Sequence, residues 1–354
     1  MGVPCDPRRR AYPLNAQSLS TLPAIATTFF QKLDGRSWNY GEKRIDSPES
    51  ARDMRVRRRK FKEHSYQHIY QNTVGGVLLF YHDIDRLVYY TAFAVTARKY
   101  QAQVLAFSLM YDHTHSSVRL KDPFRLGDFV RDYTSIYAME FNRDIGRHGP
   151  LFQCAYGNAP KVGAKALRTN VAYIDNNAVE KQLCERAEEY RWNLLAYLNS
   201  SHPFSKELKR SRSSRRLLRS LKRVEAFSRN DAYLPYPILR SLYDGLTQEE
   251  TEQLTDFIIH TYLPIDRQER MSLYGSYENM LTAINSNTGS EYDIKEEYES
   301  FPHTIFRELL HACRHAPNPK ALTVLTPAEK KRIASRLQQK TGASYYQLKK
   351  FLAL

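Results

Sequence analysis

The sequence predicts an α+β fold, because segments with the length and residue types of strands alternate with segments of helical pattern. Strand-like runs occur at 68–74, 103–111 and 113–119, and helical patterns occur at about 84–99 and 124–142. The connections between these segments are as short as hairpin loops. This combination favours an antiparallel sheet covered by helices, as in a ferredoxin-like layer.

The elements of this domain follow one another in a simple order. The first strand is followed by a strand or loop at 76–81 and by the first helix. Two adjacent strands and the helix at 124–142 come next, and then a short extended segment at 151–157 and a further helix within 161–186. The core face of the helix at 124–142 is marked by apolar residues at i, i+3, i+4, i+7 and i+11. These are Leu126, Phe129, Val130, Tyr133 and Tyr137.

Two histidines separated by one residue, His113 and His115, lie in the second strand of the adjacent pair. Residues i and i+2 of a strand point to the same face, so both imidazoles project together. Two neutral imidazoles that converge on one point are a good start to a divalent-metal site. The alternative is a pair of surface histidines on a strand edge.

The run from Lys161 to Arg186 contains one Gly and no Pro, which predicts a helix. Tyr173 and Asn177 are four residues apart and therefore share a helical face. If this helix docks over the histidine strand, a phenol and an amide oxygen reach the two imidazoles. A metal beside a tyrosine suits nucleophilic attack on a phosphodiester. Alternatively, Tyr173 is an interface aromatic and Asn177 caps the end of the helix.

Six motifs occur in an order that resembles a known family. They are His68-Ile69-Tyr70-Gln71-Asn72-Thr73, Phe80 with Asp85, Leu105 to His115, Gly149-Pro150-Leu151-Phe152-Gln153, Tyr173 to Val179, and Tyr190-Arg191-Trp192-Asn193. The chain resembles the HUH single-tyrosine transposases, particularly the REP-associated tyrosine transposases, over roughly residues 63 to 200. The resemblance carries most of the ferredoxin-like sheet assignment. It implies that His113 and His115 bind the metal, Mg²⁺ or Mn²⁺, that Tyr173 is the nucleophile, and that Asn177 is the third ligand.

The chain departs from the family pattern at three positions. Thr114 stands between the histidines where the family has an aliphatic residue, which predicts some loss of packing beneath the site. Asp112 replaces the usual Asn before the pair, and its carboxylate would tighten metal binding or replace a ligand. Asn177-Ala178 replaces Asn-Pro, so the expected helix break is weakened.

Composition agrees with a polyanionic partner. The chain has 354 residues and a formal net charge of +15, with 42% hydrophobic residues, which suffices for a normal core. Four scattered cysteines without a Cys-x-x-Cys pair argue against a zinc ribbon and for a reducing compartment. We see neither a signal peptide nor an apolar run long enough to span a membrane, so we expect a cytoplasmic, nucleoid-associated protein.

We divide the chain into an N-terminal basic extension at 1–62, the catalytic domain at 63–200, a basic linker or helix at 201–230, and a helical C-terminal domain at 231–354. Nine Lys or Arg and one acid lie between Lys206 and Arg223. Such basic segments either follow a phosphate backbone or form the solvated face of a helix. The expected DNA-binding residues are Arg57, Arg58, Arg59, Lys60, Arg212, Arg215, Arg216, Arg219, Lys349 and Lys350.

The C-terminal region is helical by pattern. Thr326-Pro327 predicts a helix start, a turn is expected at 341–343, and Ser344 caps a final helix from Tyr345 to Leu354. With Lys349 and Lys350 exposed, this pair of helices is compatible with a helix-turn-helix. The alternative is a helical cap on the domain.

These patterns and the resemblance predict an HUH-type single-tyrosine DNA transposase or nickase, acting as a monomer or homodimer. It would cleave and rejoin single-stranded DNA at hairpin-flanked sites through a 5′-phosphotyrosine, with a divalent metal. Two alternatives remain: a catalytically silent protein that binds DNA hairpins, and a helix-turn-helix regulator that binds duplex DNA.

Overall fold

The computed structural model describes residues 65–153, 156–286, 302–316 and 318–354. The strands and helices, in chain order, are β1 (Tyr66–Asn72), α1 (Asp83–Lys99), β2 (Gln103–Leu109), β3 (His113–Arg119), α2 (Leu126–Ile145), β4 (Gly157–Lys161), α3 (Ala164–Glu180), α4 (Arg215–Arg229), α5 (Tyr236–Tyr243), α6 (Gln248–Thr261), α7 (Arg267–Tyr274), α8 (Tyr277–Asn285), α9 (Thr304–Ala312), α10 (Pro327–Thr341) and α11 (Tyr345–Leu352). The basic run at 57–60 and the acidic stretch at 291–300 lie outside the described residues.

The four strands form one antiparallel sheet in the order β2-β3-β1-β4. With one helix between β1 and β2 and another between β3 and β4, the chain runs β-α-β-β-α-β. This is the ferredoxin-like arrangement, so the predicted α+β class is confirmed. The extended segment expected at 151–157 begins later, because Phe152 makes only an isolated bridge with Thr73 and β4 starts at Gly157.

One face of the sheet packs against α1 and α2. Phe107 of β2 contacts Phe93 of α1, with ring centroids 4.6 Å apart. The five α2 residues predicted to face the core are all buried. Burial of large aromatic rings is the main stabilising contribution here, and the tilted and edge-to-face ring pairs add to it.

The opposite face of the sheet packs against α3. Leu105 and Ala106 of β2 form a small apolar cluster with Val171 and Ile174 of α3. The helix continues through Ala178, the position at which the family pattern has a proline, and ends at Glu180. Asn177 therefore lies inside the helix and is not its C-cap.

The helices that follow residue 200 pack against one another and against the sheet domain. The α4 helix begins at Arg215, after Ser214 caps it by accepting a hydrogen bond from the Leu217 amide. The basic run is therefore α-helical only in its second half, and its first half contains a short 3-10 helix at Arg210–Arg212. Near the C-terminus, Thr326 and Ser344 cap α10 and α11 as the sequence predicts, and Gly342 ends α10 in a left-handed conformation. Among the described residues we find no helix that is both long and apolar enough to cross a bilayer.

Candidate active site

His113 and His115 project from the α3 face of β3. Their ring centroids lie 5.0 Å apart, as expected for side chains at i and i+2 of one strand. Thr114 points to the other face, where its hydroxyl lies 3.1 Å from the Tyr89 hydroxyl. The loss of packing expected from a threonine is therefore offset by a buried hydrogen bond.

The α3 helix brings Tyr173 and Asn177 to the same place. The Tyr173 ring centroid lies 5.6 Å from that of His115, and the Asn177 Nδ2 atom lies 3.3 Å from His115 Nε2. Both side chains are buried. Spacing of four residues places them on one helical face, and docking of that face on β3 assembles the predicted group.

A third histidine, His68 of β1, lies next to His115. Its Nε2 atom is 3.1 Å from His115 Nδ1, and its Nδ1 atom is 2.8 Å from Asn170 Nδ2. Burial, together with the neighbouring His113 and His68, holds the pKa of His115 well below its usual range. His115 is therefore neutral, which is the form that coordinates metals. Sequence reasoning missed His68 and Asn170 as site residues, because the sequence of neither strand shows that β1 pairs with β3.

Asp112 occupies the end of the hairpin between β2 and β3. One carboxylate oxygen lies 2.7 Å from His113 Nδ1, and the other accepts a 2.7 Å hydrogen bond from Lys350. Burial alone would raise the pKa of Asp112, but His303, His113 and Lys350 hold it well below its usual range. Because an ionised carboxylate can only accept, His113 Nδ1 carries the proton. Its Nε2 atom is then the ligand atom, in the manner of a carboxylate–histidine–metal arrangement.

The expectation that Lys350 is exposed is wrong. Its side chain is 7% exposed and pairs with Asp112, whereas Lys349 lies at the surface. Helical periodicity places Lys350 beside the apolar stripe of α11, and nothing in the sequence indicates a buried carboxylate for it to reach. His303, fully buried beside Asp112, is a third residue that sequence reasoning missed.

Two candidate sets of metal ligands share His113. Asp112, His113 and His303 offer ligand atoms within 4.8 Å of one another, but the Lys350 ammonium already occupies one oxygen of Asp112. The other set is His113, His115 and Asn177. Among the described residues, the buried Oδ1 atom of Asn177 has no hydrogen-bond partner, so an oxygen ligand is available there. Two imidazoles and an amide oxygen form a mixed nitrogen and oxygen set of the kind that divalent transition metals accept.

A buried ion pair fixes α3, the helix that carries Tyr173. Arg270 of α7 contacts the Asp175 carboxylate and donates a 3.0 Å hydrogen bond to the Leu105 carbonyl of β2. Burial raises the pKa of Asp175 to about 6, although the Arg270 charge opposes this. The pair therefore ties α3, α7 and β2 together two residues from Tyr173.

The basic residues of α4 lie at the surface. Arg215, Arg216 and Arg219 are exposed, as is Arg212, which precedes the helix. Arg216 also donates a 3.0 Å hydrogen bond to the Gly245 carbonyl. The structure places these four side chains where DNA can reach them, whereas Arg57, Arg58, Arg59 and Lys60 lie outside the described residues.

A comparison with protein families identifies the segment that holds this site. Residues 77–177 match the model described as "Transposase IS200 like", and this segment contains both histidines, Tyr173 and Asn177. This segment of the chain is similar to IS200-like transposases. The predicted resemblance to transposases is thereby confirmed for this segment.

Two further comparisons complete this result. The solved structure of a REP-associated tyrosine transposase bound to a REP hairpin is similar to this chain at 13% identity, with a TM-score of 0.35, over 40% of this chain and 82% of that one. The comparison with curated proteins found no match.

Proposed function

We propose that this IS200-like transposase domain cleaves and rejoins single-stranded DNA through a 5′-phosphotyrosine on Tyr173. The observation that carries the proposal is the contact of Tyr173 and Asn177 of α3 with His115 of β3, which lies beside His113 on the same strand. The Asn177 amide lies 3.3 Å from His115, and the Tyr173 ring lies beside that same imidazole. A nucleophile next to a metal-ligand set is the arrangement that phosphodiester transfer requires.

His113, His115 and Asn177 would hold the divalent metal. When bound, Mg²⁺ or Mn²⁺ would polarise the scissile phosphate and stabilise charge on the leaving oxygen. The neutral state of His115 and the unpaired Oδ1 atom of Asn177 support this ligand set. Asp112 would orient His113 through its Nδ1 proton and would not itself be a ligand.

Tyr173 would supply the covalent chemistry. Its hydroxyl oxygen attacks the phosphorus, the P–O3′ bond breaks, and the tyrosyl proton ends on the released 3′-oxygen. The new phosphotyrosine keeps the energy of the phosphoester bond. A second 3′-hydroxyl can therefore reverse the step and join two strands without ATP.

The proposed substrate is a DNA hairpin with a single-stranded flank. The exposed arginines before and along α4 would contact the phosphates of the stem, and an unpaired flank lets the scissile phosphate reach a buried site between a strand and a helix. Phosphate contacts position the DNA and do not read its sequence.

The test is formation of a covalent protein–DNA adduct. The full chain is incubated with a library of single-stranded hairpins and Mn²⁺, and adducts are scored on denaturing gels. We expect an adduct with the native protein and none with Tyr173→Phe, which removes only the hydroxyl and should still bind the hairpins. Tyr345→Phe, which alters an exposed tyrosine on α11, is the matched control and should form the adduct.

Three other outcomes would contradict the proposal. An adduct with Tyr173→Phe would show that another group is the nucleophile. Hairpin binding without any adduct in the native protein would favour the catalytically silent hairpin binder. A preference for duplex DNA that is insensitive to Tyr173 would favour the helix-turn-helix regulator.

A further inference from the structure

The last helix of the chain is built into the wall of the active site. The Lys350 carbonyl accepts a 3.2 Å hydrogen bond from the Leu78 amide, and the Phe351 carbonyl accepts one of 2.8 Å from the Tyr81 hydroxyl. Lys350 then passes beneath Gly76, where an added Cβ atom would lie 3.3 Å from the lysine Cε. The loop after β1 and the C-terminal helix thus enclose this side chain together.

The Lys350 ammonium contacts the carboxylate of Asp112, which orients the proposed metal ligand His113. Asp112 divides its oxygens between the Lys350 ammonium and His113 Nδ1, each at 2.7 Å. A buried carboxylate without its cation would be an attractive ligand for a divalent metal next to it. With the ammonium in place, the pair is neutral, and Asp112 serves His113 as a hydrogen-bond acceptor, with His303 Nε2 lying 3.7 Å from the same oxygen.

We propose that Lys350 is a positioning residue of the transposase site, which neutralises Asp112 and keeps it from ligating the metal. The proposal rests on the proposed function, because it assumes a metal at His113, His115 and Asn177. It goes beyond that function by making the C-terminal helical region part of the catalytic centre. It also explains how the chain uses an aspartate before the histidine pair: the lysine restores the neutrality that an asparagine would have had.

Charge balance predicts opposite changes in Mn²⁺ affinity when Lys350 or Asp112 is replaced. Lys350→Met leaves a net negative charge beside the metal, so Mn²⁺ affinity should rise by about tenfold. Adduct formation should fall by about tenfold or more, because the carboxylate then competes for the metal and no longer holds His113. Asp112→Asn leaves the ammonium uncompensated, so Mn²⁺ affinity should fall by about tenfold.

The double variant Asp112→Asn with Lys350→Met restores neutrality. The amide oxygen at position 112 can still accept the His113 Nδ1 proton. Mn²⁺ affinity should therefore return to within about threefold of the native value, and the adduct should return with it. A residue that merely supported the fold would lower affinity in both single variants, and the double variant would be the worst of the three.

The experiment measures Mn²⁺ binding by electron paramagnetic resonance on the full chain without DNA, for the native protein, the three variants and His113→Ala. Lys331→Met, which removes an exposed lysine of α10, controls for the loss of one positive charge. Thermal unfolding verifies that each variant is folded. Opposite shifts in the single variants with recovery in the double variant are the expected result. Shifts in the same direction, or no shift in either, would overturn the proposal.

Failure of the proposed function is recognised separately. If the native protein binds Mn²⁺ no better than His113→Ala, there is no metal at these ligands, and both proposals fail. If the native protein binds Mn²⁺ through His113 and forms the adduct while the single variants do not diverge, only the role of Lys350 is refuted.

Discussion

His115 is the residue on which the buried groups of the site converge. His68 contacts one ring nitrogen, Asn177 contacts the other, and the Tyr173 ring packs against the imidazole. Contacts at both nitrogens restrain the orientation of the ring. A site of this kind is preorganised, since the His115 side chain does not have to become ordered when substrate binds.

Asn177→Ala should raise the Mn²⁺ concentration needed for half-maximal adduct formation by roughly tenfold, with full activity at saturating metal. Water can replace one neutral ligand, so the substitution mainly lowers the affinity for the metal. Titration of adduct yield with Mn²⁺ measures this. Asp112 is engaged by Lys350, so it should not take over the third position.

The contrasting variant is His115→Ala, which removes an imidazole at the centre of the buried group. Additional Mn²⁺ should not rescue it, because Tyr173 and Asn177 also lose a packing partner. An Asn177→Ala protein with the native Mn²⁺ requirement would show that the amide is not a ligand.

At the scale of elements, local patterns explain what the sequence could predict. The spacing of Leu126, Phe129 and Val130 identifies the buried face of α2, and the caps of α10 and α11 are read from Thr326 and Ser344. The two pairs of predicted site residues are also local, at i, i+2 in a strand and i, i+4 in a helix. The recognised family supplied the remaining information, namely how the strand and the helix face each other.

The parts that could not be predicted depend on distant contacts. Lys350 lies 238 residues from Asp112, and Asn170 lies 102 residues from His68. Such pairs are made by the packing of whole elements, and no local period records them. The prediction that Lys350 is exposed was wrong for this reason, since an isolated α11 would place that lysine in water.

The basic segment gives a prediction at the same scale. Replacing Arg212, Arg215, Arg216 and Arg219 with Gln should weaken binding to all DNA sequences alike, because phosphate contacts carry no sequence information. If all four contact phosphates, the slope of log K against log salt should flatten by about 3 to 4. Binding measured by fluorescence anisotropy between low and moderate salt tests this.

Arg210→Gln is the control within the same segment, because Arg210 pairs with Glu225 at 2.6 Å. Arg210→Gln should change the salt slope by less than the replacement of any one of the four arginines does. If the fourfold variant keeps the native slope, the arginines form a solvated face of α4 and do not contact DNA.

At the scale of the whole molecule, a buried ionic cluster joins the sheet domain to the C-terminal region. Asp85, at the start of α1, accepts hydrogen bonds from the Lys320 ammonium and the Tyr236 hydroxyl, each at 2.7 Å. Lys320 also pairs with Asp144 of α2 at 2.8 Å. Since Lys320 precedes the helices that carry Lys350, this cluster holds the C-terminal helices against the sheet domain.

This cluster should make stability depend on pH in the acid range. Burial alone would raise the pKa of Asp85, but Lys320 and the hydrogen bonds hold it below its ordinary value of 3.8. A depressed carboxyl pKa gives stability that is fully present above the ordinary value and is lost as pH falls through the folded-state value. Asp85→Asn should therefore lower the melting temperature at pH 7, and the difference from the native protein should shrink below about pH 4.

Lys320→Met should be more damaging than loss of an exposed lysine. It leaves Asp85 without its cation, while Asp144 keeps its ion pair with Arg240. Breaking a buried pair in this way costs about 3 to 5 kcal/mol. Because the C-terminal helices also deliver Lys350 to Asp112, the variant should lose Mn²⁺-dependent adduct formation in parallel with its stability. Urea unfolding and the adduct assay on the same samples measure both quantities. A Lys320→Met protein that is destabilised but forms the adduct normally would show that the C-terminal helices are held in place by their apolar contacts alone.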